Sequence, residues 1–238
     1  WVPWRSTVGP MEIVFVRHAE PEWVKDRLNV DNPPLTARGF EQAEFLGNWA
    51  ASEHFDEAYV SPLVRTQQTA APILSALNMD LVIAPWLEEI RNPIWHGTPE
   101  EKAIEAYKSE KAKPSVERWN GLDGGEAVSD FVERINIGVS LFLEEHGLVR
   151  ADTDLPIWKK TSSYREGIRI LLVAHAGTSS VSICHMLGFP PTPWEWERLV
   201  IGHATVNRLD VFEIGDGMTF GLSLLSGNEH LPKDLRTY

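Results

Sequence analysis

Arg17 and His18 stand side by side, and a second histidine, His175, lies far along the chain. A guanidinium can hold an anion through two parallel hydrogen bonds. A neutral imidazole offers one nitrogen lone pair for attack or proton transfer. Both histidines follow apolar runs: Ile13-Val14-Phe15-Val16 before the first, Ile170-Leu171-Leu172-Val173-Ala174 before the second. Such runs read as strands buried on both faces. In an open α/β sheet, ligands sit just beyond the carboxyl ends of the strands. The two histidines therefore belong on the floor of one pocket.

The elements that must position them follow in order. Residues 19–35 form a polar loop with Pro21, Pro33 and Pro34, pinned by Trp23 and Leu28. Thr36 is an N-cap for a helix with Phe40, Ala43, Leu46, Trp49 and Ala50 on one face. Ala58-Tyr59-Val60 is a short strand, and the next helix carries Arg65 in its first turn and buries Ala70, Ile73, Leu74 and Leu77. Leu81-Val82-Ile83 reads as a third strand, with Glu88 and Glu89 beyond its end. Residues 91–123 break the rhythm with charges, Trp95 and Trp119, and form a lid over the pocket mouth. Gly124-Gly125 precedes a long helix with Val128, Phe131, Val132, Ile135, Val139, Phe142 and Leu143 inward. Residues 146–167 read as a polar connection. A helix opens at Gly177-Thr178, runs through Leu187 and is closed by Gly188. Two last strands, 207–214 and 219–225, meet at Gly215-Asp216-Gly217, a tight-turn signal. Alternating strands and helices predict an α/β fold with a mostly parallel central sheet and helices on both faces.

More of the chain falls into ordered motifs. Arg17-His18-Ala19-Glu20 resembles the Arg-His-Gly-Glu signature of the histidine phosphatase superfamily, the phosphoglycerate mutase-like proteins. Pro34-Leu35-Thr36 with Gly39, Gln42 and Ala43 is similar to that family's first helix. Ser61-Pro62-Leu63 with Arg65-Thr66 and Thr69-Ala70 is similar to its second arginine motif, and Leu87-Glu88-Glu89-Ile90 to its acid motif. Gly124-Gly125-Glu126 with Arg134, then His175-Ala176-Gly177, then Asn228 with His230-Leu231 continue the match to about residue 231. Seven ordered motifs are strong evidence where one tetrapeptide is weak. The resemblance implies a three-layer, phosphoglycerate mutase-like sandwich with an inserted lid.

It also implies roles. Arg17, Arg65 and His175 would bind the phosphoryl group, and His18 would attack it to give a phosphohistidine. His175 would stabilise the transition state and Glu89 would protonate the leaving group. Glu88 is the competing acid, and the Leu-x-Glu-Ile spacing favours Glu89. No cofactor and no metal are implied, because the cationic cluster does a metal's work. The bland alternatives are a helix-surface ion pair for Arg65 and a solvated loop carboxylate for Glu89. His54, His96, His146, His185 and His203 have no partner motif and read as surface or satisfied histidines, with His96 placed in the lid. One departure bears on substrate. Val24 follows Trp23 where the family's mutases and broad phosphatases usually carry a phosphate-contacting Asn. Without a mutase pattern in the lid, hydrolysis of a small phosphorylated metabolite is favoured. Phosphoprotein or phosphohistidine hydrolysis, mutase-type transfer and a catalytically weak binding module are the alternatives.

The composition fits this reading. The 238 residues carry a formal net charge of −12, which argues against nucleic acid and anionic membranes as partners. An anionic substrate must then be drawn in by a local cationic cluster. Cys184 is the one cysteine, so no internal disulfide can form, which suits a reducing, cytoplasmic setting. No stretch reaches the ~18 apolar residues of a membrane span. Residues 1–10, before Met11, lack the apolar core of a secretory signal and read as a leader or extension. Residues 11–238 read as one domain. Many relatives dimerise, and the resemblance allows a homodimer without specifying one.

Overall fold

Alternation along β1, Met11–Arg17, decides the layering. Ile13 and Phe15 enter one apolar cluster, Val14 and Val16 another on the opposite face of the sheet, and all four are fully buried. The computed structural model describes residues 11–238, so the leader or extension at residues 1–10 lies outside the described residues. After β1 come a small hairpin, β2 (Val24–Lys25) and β3 (Leu28–Asn29), then α1 (Ala37–Ala50), β4 (Glu57–Val60) and α2 (Val64–Leu77). The lid holds α3 (Glu100–Ala112). Then follow α4 (Val128–Glu145), β5 (Leu148–Arg150), β6 (Trp158–Lys160), β7 (Ile168–Ala174), α5 (Ala176–Leu187), α6 (Glu195–Arg198), β8 (Val206–Ile214) and β9 (Gly217–Gly227).

The main sheet runs β4-β7-β1-β8-β9-β6-β5. On one face α1 and α2 pack Leu46 and Ile73 over Val14, Val16, Leu171 and Val173. On the other, α4 brings Phe131, Ile135, Val139 and Leu143 against Ile13, Phe15, Ile170 and Leu172. Each such side chain contributes roughly 2 kcal/mol by apolar burial. Thr36 caps α1 as expected, its hydroxyl accepting the Gly39 N–H. Position 39 must be glycine because the carbonyl of Glu20 occupies the place a Cβ would take.

The expected three layers are present, but the sheet is not mostly parallel. β1 and β4 flank β7 in parallel, whereas β8, β9, β6 and β5 add antiparallel neighbours beyond β1. The reason is local. The Gly215–Gly217 turn, with Gly215 at φ +55, folds β9 straight back on β8, and such hairpins make antiparallel pairs. The 146–167 connection is not all loop. Its strands β5 and β6 are three residues each, too short for a period-two signal, yet Trp158 is buried edge-on to Phe220. Leu81-Val82-Ile83 is not a strand. It makes a single parallel bridge from Ile83 to Val60, and all three side chains are exposed at the sheet edge.

The lid is tied down on two sides. The Asn29 amide donates to the Thr98 and Pro99 carbonyls, and Asp31 accepts the Trp95 N–H. On the far side Arg118 pairs with Glu197 of α6. No residue of α3 is buried, so these links rather than a core hold it. Among the described residues, no helix is long and apolar enough to cross a membrane.

Candidate active site

β1 and β7 are neighbours in register, Arg17 opposite Ala174, so the residues after them arrive together. The His18 N–H donates to the Ala174 carbonyl, and the His18 and His175 rings meet edge-on with centroids 5.1 Å apart. His18 Nδ1 lies 2.8 Å from the Ala19 carbonyl. A carbonyl only accepts, so Nδ1 carries the proton and Nε2 keeps its lone pair. The Ala19 N–H donates to Thr69 Oγ1, which donates in turn to the Arg65 carbonyl. Ala19 is fully buried within the α1–α2 core cluster.

Arg17 and Arg65 frame the two imidazoles. Arg65 is 2% exposed and its guanidinium lies over the Trp23 ring at 4.8 Å. Its Nε and Nη1 meet no protein acceptor. That excludes the surface ion pair. Arg17 donates from Nη1 to the Ile201 carbonyl at 2.6 Å, and its Nε also meets no protein acceptor. Burial lowers both arginines to about 10, so both stay charged at neutral pH. Ser61 Oγ lies 2.7 Å from His175 Nε2, which leaves Nδ1 as the ring nitrogen without a protein partner.

The two glutamates separate cleanly. Glu88 reaches outward to Arg91, 2.7 Å away. Glu89 lies against the N-terminus of α5, where Oε2 accepts the Gly177 N–H at 2.9 Å and Oε1 accepts that of Thr178 at 3.2 Å. A helix N-terminus favours a negative group through its free N–H donors and dipole. A Cβ at position 177 would run into Glu89 Oε1. Arg134 donates to the Glu88 and Glu89 carbonyls while Glu126 grips its guanidinium and accepts the Arg91 N–H. The Gly-Gly-Glu and arginine motif is thus the frame of the acidic loop.

Two further groups had no sequence signal of their own. Tyr107, from the lid helix, stands edge-on to Trp95, and its hydroxyl bonds to Asn92. The residue is 43% exposed, but its phenol end is desolvated and near the charge of Glu89, and both raise its pKa. His203 is a satisfied histidine and not a surface one, with both ring nitrogens bonded. It is 6% exposed, 5.6 Å from His18 between ring centroids, and in contact with Arg17. It precedes β8, and the antiparallel pairing of β8 with β1 brings the start of one to the end of the other. A parallel assignment hides that neighbour. Val24 is exposed at the rim, and His96 is exposed on the lid turn.

Three buried imidazoles set the acid stability. Burial is the largest cause lowering His18, His175 and His203, with the two arginines next; His203 falls to about 3. In the unfolded chain they titrate near 6.5. Below that pH the unfolded chain binds protons that the native one refuses, so native stability is full above about pH 6.5 and declines as pH falls. The expected result is a midpoint temperature that drops steadily from pH 6.5 to 5. A midpoint that held or rose on acidification would contradict the neutral assignment.

The sequence model of the histidine phosphatase superfamily (branch 1) matches residues 13–151, more than half the chain, and the chain belongs to that superfamily. Phosphoserine phosphatase 1 of Hydrogenobacter thermophilus is 31% identical over 182 residues, which cover 75% of this chain and 77% of that one. A Salmonella choleraesuis protein described as "Probable phosphoglycerate mutase GpmB" is 27% identical over 210 residues, 85% of this chain and 86% of its own. The alpha-ribazole phosphatase of Shigella flexneri shares the fold, with a TM-score of 0.67 at 23% identity over 91% of this chain and 96% of that one. The relative at 31% identity, named as a phosphatase, supports a phosphoric monoester hydrolase.

Proposed function

We propose that this protein hydrolyses a small phosphorylated metabolite, without a metal, through a phosphohistidine on His18. The observation that carries the reading is the enclosure of the site. His18 is 3% exposed and His175 is fully buried, and the 91–123 segment is tethered to Asn29 and Asp31, in the loop whose Trp23 lies on Arg65. A phosphorylated side chain on a folded protein would need an open, shallow pocket.

His18 Nε2 attacks phosphorus as the ester P–O bond breaks, and Glu89, having taken the proton of the substrate's phosphate monoanion, passes it to the departing alkoxide. Glu89, now a carboxylate, takes a proton from water as that water attacks phosphorus. The P–N bond breaks, phosphate leaves and His18 is regenerated. Arg17, Arg65 and His175 carry the charge that spreads over the phosphoryl oxygens; Ser61, donating to His175 Nε2, leaves Nδ1–H to face them. A mutase also needs a second anion site. Arg91 pairs with Glu88, Lys113 with Glu110 and Arg118 with Glu197, which leaves the exposed Lys102, Lys108 and Lys111 as the segment's other cations. The names of two relatives, a phosphoserine and an alpha-ribazole phosphatase, agree with a small substrate.

The test is phosphate release from an aryl phosphate, a panel of sugar, serine and nucleoside monophosphates, and a phosphopeptide, between pH 5 and 8 with a chelator. Turnover of one or more small esters is expected. Turnover of the phosphopeptide alone would overturn the reading. So would no turnover in a folded protein that still binds vanadate.

A further inference from the structure

We infer that His203 is a positioning residue for the reaction: a neutral imidazole that accepts one N–H of Arg17 and holds that guanidinium toward the phosphoryl group, itself steered by Thr237 and Gln42. The inference rests on Arg17 being a phosphoryl ligand.

The chain of contacts has one consistent set of protons. Arg17 Nη2 lies 3.0 Å from His203 Nε2. An arginine only donates, so Nε2 must be the acceptor and the ring proton sits on Nδ1. Nδ1 lies 2.9 Å from Thr237 Oγ1, which accepts it. The same oxygen accepts from Gln42 Nε2 at 2.9 Å, and Gln42 also donates to the Leu235 carbonyl. Gln42 is fully buried and turns its other amide atom, Oε1, to the Glu20 N–H, two residues from His18. The backbone repeats the link, since the His203 N–H donates to the Thr237 carbonyl and that of Ala204 to the His18 carbonyl. A protonated His203 would turn a donor against the Arg17 donor. Its burial beside Arg17 and Arg65 keeps the ring neutral through the working range.

With Nη1 held by Ile201 and Nη2 by His203, the guanidinium plane has no freedom to rotate. Its Nε and the remaining Nη hydrogens stay aimed into the site. A carbonyl could take the place of His203 as acceptor. An aliphatic residue could not, and would leave a buried cationic N–H unpaired.

The test compares His203→Leu, His203→Gln, Thr237→Val and Thr237→Ser. The readouts are inhibition and binding by inorganic phosphate, kcat and KM on an aryl phosphate, midpoint temperature and the ring ¹⁵N shifts of His203. In the parent, Nδ1 carries the proton and Nε2 does not, from pH 5 to 8. His203→Leu weakens phosphate binding roughly tenfold or more. His203→Gln, which can accept from Arg17 and donate to Thr237, stays within about threefold of the parent. Thr237→Val moves the same way as His203→Leu by a smaller factor, and Thr237→Ser restores it. The inference is overturned if His203→Leu binds phosphate like the parent, or if the Gln and Leu variants fall together in step with lost stability. If His203→Leu does not fold, an unchanged phosphate affinity in Thr237→Val overturns it instead. Phosphate binding is read without turnover, so an inactive parent would count against the proposed function and leave this test standing.

Discussion

Replacing His18 with alanine is expected to remove phosphate release from every ester by roughly 10⁴-fold or more, the scale seen when a nucleophile is deleted from a covalent mechanism. Binding of phosphate or vanadate should persist, because Arg17 and Arg65 keep their charge and their free N–H groups. The parent, quenched during turnover, should show a phosphoramidate on His18 by ³¹P NMR or by mass spectrometry of the peptide, and the variant should show none. As the proposed nucleophile, His18 needs no help from a base. Nδ1–H is committed to the Ala19 carbonyl and burial keeps the ring neutral well into the acid range. Loss of activity on acidification to pH 5 should therefore not follow the titration of an ordinary imidazole. Residual turnover within tenfold of the parent would rule out the covalent route and point to direct attack by water.

The second large effect concerns Glu89, and it depends on the leaving group. For an alkyl ester, Glu89→Gln should lower kcat by roughly 10²–10³-fold, since a general acid contributes on that scale. For an aryl phosphate, whose phenolate leaves unaided, the first step should change little. The plot of rate against leaving-group pKa thus steepens in the variant. Gly177→Ala gives an independent check. Its methyl would displace the Glu89 carboxylate and leave the Glu89 side chain chemically intact, so it should steepen the same plot. Equal losses of kcat/KM, which reports only the steps up to ester cleavage, on aryl and alkyl esters in both variants would deny Glu89 the acid role and leave it a cap on α5. Glu88 offers the control, because its carboxylate is turned out to Arg91 and its removal should leave the slope alone.

Much of the site was legible because it is written in short, local pieces. Apolar runs that end in a polar catalytic type announce β1 and β7, and the structure sets Arg17, His18 and His175 at their adjacent ends. The first turn of α2 brings Arg65, and the acidic loop brings Glu89 to the Gly177 N–H. Other groups depend on pairings that no local stretch encodes. His203 reaches Arg17 only because β8 runs antiparallel to β1, and Thr237 reaches His203 only across that loop. Tyr107 sits on a helix with no buried residue and hence no apolar stripe to reveal which face meets the site. β5 and β6 are too short to show alternation, whereas Leu81-Val82-Ile83 shows a strand composition without a second strand or a helix to cover it.

The place of β1 in the sheet carries a consequence for how the chain acquires activity. Both native neighbours of β1, and the strand that pairs with β4, come from residues beyond 167. Contacts that close such long loops form late and slowly. A fragment ending at Ala151 would contain Arg17, His18, Arg65 and Glu89, yet leave β1 with no native partner and β4 with only the bridge from Val60 to Ile83. It should aggregate or stay unfolded, with no cooperative melting transition. A nascent chain is in the same position during synthesis, holding most of the proposed catalytic side chains with nothing to align them. Catalytic competence therefore appears in one step with completion of the sheet, and assayed activity during refolding should rise in parallel with native tertiary structure and not with helix content.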